Sequence, residues 1–202
     1  RALLGLALTP LTLAIAAPAA WAAPDPLCGT TVGAGQTLTL TRDVDCVGYA
    51  TTGGAITITG NNATIDGTRP GGGVYKIIAP DAARGISATN VSNVTIKNVD
   101  VSGWCGGTGV YVTGGANVRL FGVVANSRTD GVRANLVNGL AIVGLAADGN
   151  SGNGLYLEEL PAGATLPKLA ALELTNNAVA LRIKGTSNAQ PFQGPWPIDA
   201  NA

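Results

Sequence analysis

The sequence predicts an all-β protein, a solenoid of about six to seven stacked coils with three short strands in each coil. Three observations predict it. A strand-like pattern that opens with a small residue recurs at intervals of 22 to 26 residues. Two further short apolar segments, which we call the second and third steps of the coil, follow most copies of it. Gly is abundant at 29 residues, while charged residues make up only 12%, as a narrow aliphatic core with many turns requires.

The first strand of the repeat alternates apolar and polar residues. Its copies begin at Gly85, Gly109, Gly131, Gly154 and Ala180. An apolar residue follows each opening residue, and the alternation then continues with a period of two, which is typical of a strand with one buried face.

The second and third steps complete each coil. The second step begins at Val94, Val118 and Leu140, and the third places an aliphatic residue at Val99, Val123 and Leu145. Three short strands in 22 to 24 residues leave no room for a helix. One coil cannot bury its aliphatic face alone, so the coils are expected to stack about 4.8 Å apart and form parallel sheets.

The glycine-led strand and the Asn93-Val94-Thr95-Ile96 step resemble the right-handed parallel β-helix repeat family of the pectate-lyase-like superfamily. The resemblance covers residues 55–184 and implies a right-handed, single-stranded parallel β-helix. That superfamily contains lyases, hydrolases, epimerases and proteins without known catalysis, so the resemblance implies a fold more than an activity.

The chain divides into four predicted segments. Residues 1–22 resemble a secretory signal peptide without its start, because an apolar run ends in Ala20-Trp21-Ala22, a small-x-small cleavage site. Residues 23–54 are predicted to form an N-terminal cap and the first coil, residues 55–184 the β-helix repeats, and residues 185–202 an irregular C-terminal tail, with truncation of the given sequence there left open. The protein is therefore expected to be secreted, either extracellular or periplasmic.

Cys28 and Cys46 bracket the predicted cap. Secretion favours a disulfide between them, which would contribute about 3 kcal/mol by closing a loop of this size. Cys105 is left over, and it could replace one partner or stay a buried thiol. A catalytic cysteine is disfavoured because the chain contains no His to activate it.

The charge balance limits the partners. The chain has 12 Lys and Arg against 12 Asp and Glu, and removing Arg1 leaves 11 against 12. Without a basic field, nucleic acid is not expected as a partner. No membrane partner is expected after signal cleavage, and a monomer is expected. Zinc and transition-metal sites lack ligands, and calcium lacks a cluster of carboxylates, so no cofactor is predicted.

Two columns are predicted to point outward from the glycine-led strands. The first is Ser87, Tyr111, Arg133, Tyr156 and Arg182; the second is Thr89, Thr113, Asn135, Glu158 and Lys184. Exposed Tyr rings and Arg side chains over about 20 Å of flat sheet suit an extended polysaccharide, and an acidic one in particular. The predicted binding residues are Tyr111, Arg133, Tyr156, Glu158, Arg182 and Lys184. The alternative is that Tyr and Arg only pack on one another as ordinary surface.

A third column, Asn62, Asn93 and Asn117, comes just before the second strand of each coil. Stacked asparagines at a turn can hydrogen-bond to one another, so a structural ladder is predicted. Gly139 takes the same place in the next coil, where the ladder is expected to stop.

Catalysis receives less support than binding. Asp130 and Arg133 are the weak catalytic candidates. An Asp-Asp pair and a Gly-His-Gly motif, which polygalacturonase-type hydrolases of the resembled superfamily use, are absent from the sequence. The resembled lyases use Arg or Lys as a base, so an enzyme of this fold would more readily be a lyase or epimerase than a hydrolase. Three functions stay open: a polysaccharide or cell-surface glycan binder, a lyase-type enzyme, and a non-catalytic adhesion module from a longer repeat protein.

Overall fold

The computed structural model describes residues 23–49, 51, 53–79, 83–103 and 106–185. Within them the chain forms fifteen strands and no helix. The strands are β1 (Thr30–Val32), β2 (Thr37–Thr39), β3 (Val44–Asp45), β4 (Gly54–Ile58), β5 (Thr64–Asp66), β6 (Tyr75–Ile78), β7 (Arg84–Thr89), β8 (Thr95–Asp100), β9 (Thr108–Thr113), β10 (Arg119–Val124), β11 (Asp130–Asn135), β12 (Ala141–Asp148), β13 (Asn153–Glu158), β14 (Lys168–Thr175) and β15 (Val179–Lys184).

The strands build a parallel β-solenoid of about six turns, which confirms the predicted fold class. Sheet A has the order β1-β4-β7-β9-β11-β13-β15, so it takes the first strand of every coil. Sheet B takes the second strands, in the order β2-β5-β8-β10-β12-β14. Successive strands within each sheet are parallel and pair in register with the coil before and after. The right-handed winding stays a prediction.

The third step of each coil is a separate strand only at the start of the solenoid. In the first two coils it forms β3 and β6, and β6 pairs with the second half of β8. From β8 onward the second and third steps are one strand with a bend. The bend residues share a left-handed backbone with φ between 50° and 70°, and they are Asn98, Gly122, Gly144 and Ala171.

The core is a stack of aliphatic columns between the two sheets. Ile86, Val110, Val132 and Leu155 form one column, and each is fully buried. A second column lies on sheet B and is also buried; it consists of Ile65, Ile96, Leu120, Ile142 and Leu169. Full burial of one such side chain stabilises the fold by about 1.5–3 kcal/mol, so the columns dominate the favourable energy.

The opening glycines allow close contact between coils. A Cβ atom on Gly109 would lie 2.5 Å from the carbonyl oxygen of Gly131, and one on Gly131 would lie 2.6 Å from that of Gly154. The same atoms would press on Val101 and Ala125, which directly follow β8 and β10, the second strands of neighbouring coils. The recurring glycine therefore marks the corner where the two sheets approach each other most closely.

The predicted asparagine ladder is present. Asn93 Nδ2 donates to Asn62 Oδ1 at 3.1 Å, and Asn117 Nδ2 donates to Asn93 Oδ1 at 3.1 Å. All three residues have a left-handed backbone, with φ between 55° and 59°. Asn tolerates this region better than other L-residues, so the column satisfies a backbone need and a hydrogen-bonding need together.

The first coil is closed by the predicted disulfide between Cys28 and Cys46, whose Cα atoms are 5.5 Å apart. The predicted signal peptide lies outside the described residues, as do Cys105 and all but the first residue of the predicted tail. Those two segment assignments therefore stay predictions. In the part of the chain that the structure describes, no helix is long and apolar enough to cross a membrane.

We expect Leu120→Asp to prevent folding. Leu120 is fully buried between Ile96 and Ile142, and an unpaired carboxylate there costs several kcal/mol, a large part of a typical stability of about 5–15 kcal/mol. Phe121→Asp is the matched control, because Phe121 is the next residue and is 36% exposed. Circular dichroism and thermal melting should give an unfolded Leu120 variant and a native-like Phe121 variant. Equal stability of the two variants would contradict the assigned register.

Asn93→Ala and Asn93→Gly should separate the two roles of the ladder. Alanine loses both side-chain hydrogen bonds and also pays about 1–2 kcal/mol for the left-handed backbone, whereas glycine loses only the bonds, at about 1 kcal/mol each. Urea unfolding should therefore rank the wild type above the glycine variant, and the glycine variant above the alanine variant. A glycine variant as unstable as alanine would remove the backbone argument.

Candidate functional site: an arginine-tyrosine ladder on sheet A

The two predicted outward columns lie side by side on sheet A. Tyr111 pairs with Ser87 on one side and Arg133 on the other, and Tyr156 lies between Arg133 and Arg182. Glu158 pairs with Asn135 and Lys184 in the neighbouring column. The register of the strands thus brings the predicted binding residues onto one surface. Together with Arg84, they form what we call the ladder face: Arg84, Tyr111, Arg133, Tyr156, Glu158, Arg182 and Lys184.

Arginines and tyrosines alternate along the ladder face and stack on one another. The Arg84 guanidinium carbon lies 3.7 Å from the centre of the Tyr111 ring. That of Arg133 lies 5.9 Å from the Tyr111 ring centre and 5.0 Å from that of Tyr156. Arg182 approaches the other side of Tyr156, also at 5.0 Å. Such contacts contribute about 0.5–1 kcal/mol each at exposed sites.

Arg84 is a member that the sequence pattern did not reveal. It lies one residue before the opening glycine of β7, outside the column that the pattern defines. Its long side chain extends to Tyr111, and its Nη1 donates to Ser87 Oγ at 3.4 Å. Ser87, the first residue of the predicted column, is buried beneath this contact. The sequence feature that could have identified Arg84 is a charged residue directly before an opening glycine.

The prediction that both tyrosines are exposed is wrong for Tyr156. Tyr156 is only 7% exposed, because Arg133 and Arg182 lie against its ring and Glu158 accepts its hydroxyl at 3.2 Å. Tyr111 is half-buried. The exposed groups of the ladder face are mainly cationic, since the Lys184 side chain is 52% exposed and that of Arg133 is 34% exposed.

Glu158 is the one carboxylate of the ladder face. It accepts hydrogen bonds from Arg133, with Nε at 3.1 Å and Nη2 closer, and it pairs with Lys184 Nζ at 3.4 Å. The Arg133 guanidinium lowers the pKa of the Glu158 carboxyl, and Glu158 in turn raises the pKa of Arg133. The network fixes the direction in which Arg133 points while its positive charge persists.

The other weak catalytic candidate, Asp130, lies at the start of β11 and is buried. Its Oδ1 accepts two hydrogen bonds from Asn153 in the next coil, at 3.0 Å from the backbone nitrogen and 2.6 Å from Nδ2. Its carboxylate is thereby engaged in contact between coils.

The electrostatic balance of the ladder face is positive. The ladder face carries one carboxylate, that of Glu158, and four cations: Arg84, Arg133, Arg182 and Lys184. Among the described residues, no group of three or more Asp, Glu or Cys side chains lies close enough to hold a metal ion. The chemistry that the ladder face offers is thus the binding of anionic groups by guanidinium and ammonium donors.

Comparisons of the chain with known protein families, with curated proteins and with solved structures find no match. The parallel β-solenoid itself is consistent with the β-helix fold that the sequence pattern implies.

The Glu158 network predicts a specific acid sensitivity. The folded-state pKa of Glu158 lies below the unfolded value of about 4.3, so its carboxylate stabilises the fold above that pH. The stabilisation is lost as the pH falls through the folded-state pKa. We expect Glu158→Gln to lower the free energy of unfolding by about 1 kcal/mol at pH 7 and to remove that part of the loss below pH 4.

Glu159→Gln is the matched control, because Glu159 forms no ion pair with the described residues. Urea unfolding of the three proteins between pH 7 and pH 3 measures the difference. If the gap between wild type and Glu158→Gln stays constant across the whole pH range, the ionic role of Glu158 is refuted.

Proposed function

We propose that the protein is a secreted parallel β-helix protein that binds an extended, anionic polysaccharide along the ladder face. The observation that carries the proposal is the alternation of arginine and tyrosine in register over four successive strands of sheet A, which Arg84 of β7 extends through its contact with Tyr111. Columns run along the solenoid axis, so the ladder face is a linear array rather than a pocket. Five strands give it a length of about 20 Å, which suits a polymer segment.

The spacing of the cations favours an anionic ligand with regular charges. Arg133 and Arg182 are two coils apart, hence about 10 Å at the backbone. Arg84 extends the array in the other direction through its contact with Tyr111. A polymer that carries one carboxylate or sulfate at similar intervals can contact several of these donors at once, and multivalent contact gains affinity without tight individual sites.

The tyrosines serve this site indirectly. Because guanidinium groups lie on both sides of the Tyr156 ring, its faces are not available for stacking on a sugar. The rings instead separate the arginines and hold them in position. Binding therefore depends on charge more than on aromatic stacking, and it should weaken as salt screens the charges.

The ladder face favours binding over eliminative catalysis. A lyase-type base must give up its proton, but Glu158 raises the pKa of Arg133 and so opposes that step. Asp130 is buried in hydrogen bonds to Asn153. We therefore assign neither residue a catalytic role. The resemblance to the pectate-lyase-like superfamily rests on the pattern of strands and not on catalytic residues.

Secretion is part of the proposal and is supported by the Cys28–Cys46 disulfide, since such bonds persist in oxidising compartments. Expression of the chain with its predicted signal peptide, followed by mass spectrometry of the exported product, tests this part separately, and a product that begins at Ala23 is expected.

The binding test is calorimetric titration with polygalacturonate at low salt. We expect the Arg133→Gln, Arg182→Gln double variant to bind at least about tenfold more weakly, because it loses charge-assisted donors at two of the five strands. A neutral galactan should not bind. Tyr156→Ala is unsuitable for this test because Tyr156 is buried and its loss would disturb the fold.

Arg69→Gln with Lys76→Gln is the control that removes the same charge elsewhere, near the Asp43 carboxylate. If the control variant loses as much affinity as the Arg133→Gln, Arg182→Gln variant, the binding is non-specific electrostatic attraction and the ladder face is not the site. Equal binding of the neutral galactan would also overturn the proposal, as would a wild-type protein that binds neither polymer.

A further inference from the structure

A small cleft lies on sheet B, whereas the ladder face lies on sheet A. It has a volume of about 220 Å³ and opens between β10, β12 and β14. Pockets for drug-sized ligands begin at about 300 Å³, so this cleft suits a single small unit. Its lining residues are Asn117, Arg119, Gly139, Leu140, Ala141, Thr165, Leu166 and Lys168.

Two cations flank the cleft. Arg119, Ala141 and Lys168 occupy successive positions of one column, so the small Ala141 side chain lies between the two long ones. Both cations are exposed, and neither forms an ion pair with the described residues. No acidic residue lines the cleft. This is a local excess of two positive charges over a gap that an anionic group can fill.

The asparagine ladder supplies a hydrogen-bond acceptor to the same cleft. Asn117 is the last asparagine of the ladder, and its Nδ2 is used by Asn93. Its Oδ1 points toward Gly139, where a Cβ atom would lie only 2.9 Å away. Because Gly139 has no side chain, the oxygen meets no donor from the next coil. A ligand hydroxyl that reaches the oxygen from the cleft can donate a hydrogen bond to it.

A hydrogen bond to Asn138 holds the far wall of the cleft. The loop between β13 and β14 contributes Thr165 and Leu166, and the Thr165 backbone nitrogen donates to Asn138 Oδ1 at 2.9 Å. Leu140 closes the floor and is buried. The wall and floor thus combine apolar and polar surface, as small-ligand sites commonly do.

An apolar strip continues outward from the cations. Phe121 and Val143 are neighbours in the next column and are 36% and 38% exposed. An exposed aromatic ring beside charged donors can pack against the C–H face of a sugar, whereas a simple inorganic anion has no apolar surface to pack on it. This strip favours a sugar that carries the anionic group.

We propose that this cleft binds an acidic monosaccharide unit, with its carboxylate between Arg119 and Lys168 and a hydroxyl on Asn117 Oδ1. The site lies on a different sheet from the ladder face and does not depend on the function proposed there.

The test is a titration of the whole ¹⁵N-labelled chain, followed through its amide shifts. The probes are D-galacturonate, D-galactose and acetate. We expect D-galacturonate to give saturable shifts around Gly139, Ala141, Thr165 and Lys168. D-galactose lacks the charge, and acetate lacks the hydroxyls and ring. D-galactose therefore loses the charge-assisted contacts and acetate loses the contacts of the hydroxyl and the ring, so each should bind at least about tenfold more weakly.

Arg119→Gln and Lys168→Gln should each weaken D-galacturonate binding about tenfold, while the spectra show that both variants stay folded. Lys97→Gln is the matched control, because Lys97 lies on the same sheet face but pairs with Asp66. It should leave the affinity unchanged. The proposal fails if acetate or D-galactose binds as tightly as D-galacturonate. It also fails if both cleft variants bind normally, or if no shifts appear at the cleft.

Discussion

In-register stacking of coils is the constraint on which the rest of this structure depends. Every residue of a strand lies about 4.8 Å from its counterpart one coil away, so the meaningful unit is the column and not the residue. An aliphatic column becomes a core, as from Ile86 to Leu155. An asparagine column becomes a hydrogen-bonded ladder, and a glycine column becomes a corner. A like-charged column would be destabilising.

Because columns repeat in sequence, much of the fold could be predicted from periodicity. Alternation placed Ile96 and Leu120 inside, and both are fully buried. The equal offset of Asn62, Asn93 and Asn117 from their strands predicted a ladder that exists. The same counting placed Arg133 beside Tyr111 and Tyr156 on one surface. These features depend only on spacing along the chain, which a single sequence contains.

Features that depend on side-chain direction could not be predicted in this way. Arg84 joins the ladder face because its side chain extends past the opening glycine, and Tyr156 is buried by guanidinium groups from two neighbouring coils. A column of buried polar residues was also missed. Arg128 donates from Nε to the Val101 carbonyl, and Asn150 donates from Nδ2 to that of Ala125. Arg128 and Asn150 each lie four residues after Val124 and Ala146, which pair in register, so their spacing is regular. The column was missed because two polar residues of different type do not stand out as part of a core pattern.

The alternation of arginine and tyrosine limits which coils of the ladder face can be lost or duplicated. Removing the single coil that carries Tyr156 would bring Arg133 directly against Arg182 at the distance of adjacent strands, and duplicating the Arg133 coil would pair two copies of one cation. Removing the Arg133 coil would instead bring Tyr111 against Tyr156, an aromatic pair without a charge clash. The solenoid architecture tolerates growth by one repeat, but on this surface the residue that the added or lost coil carries decides whether the change is tolerated.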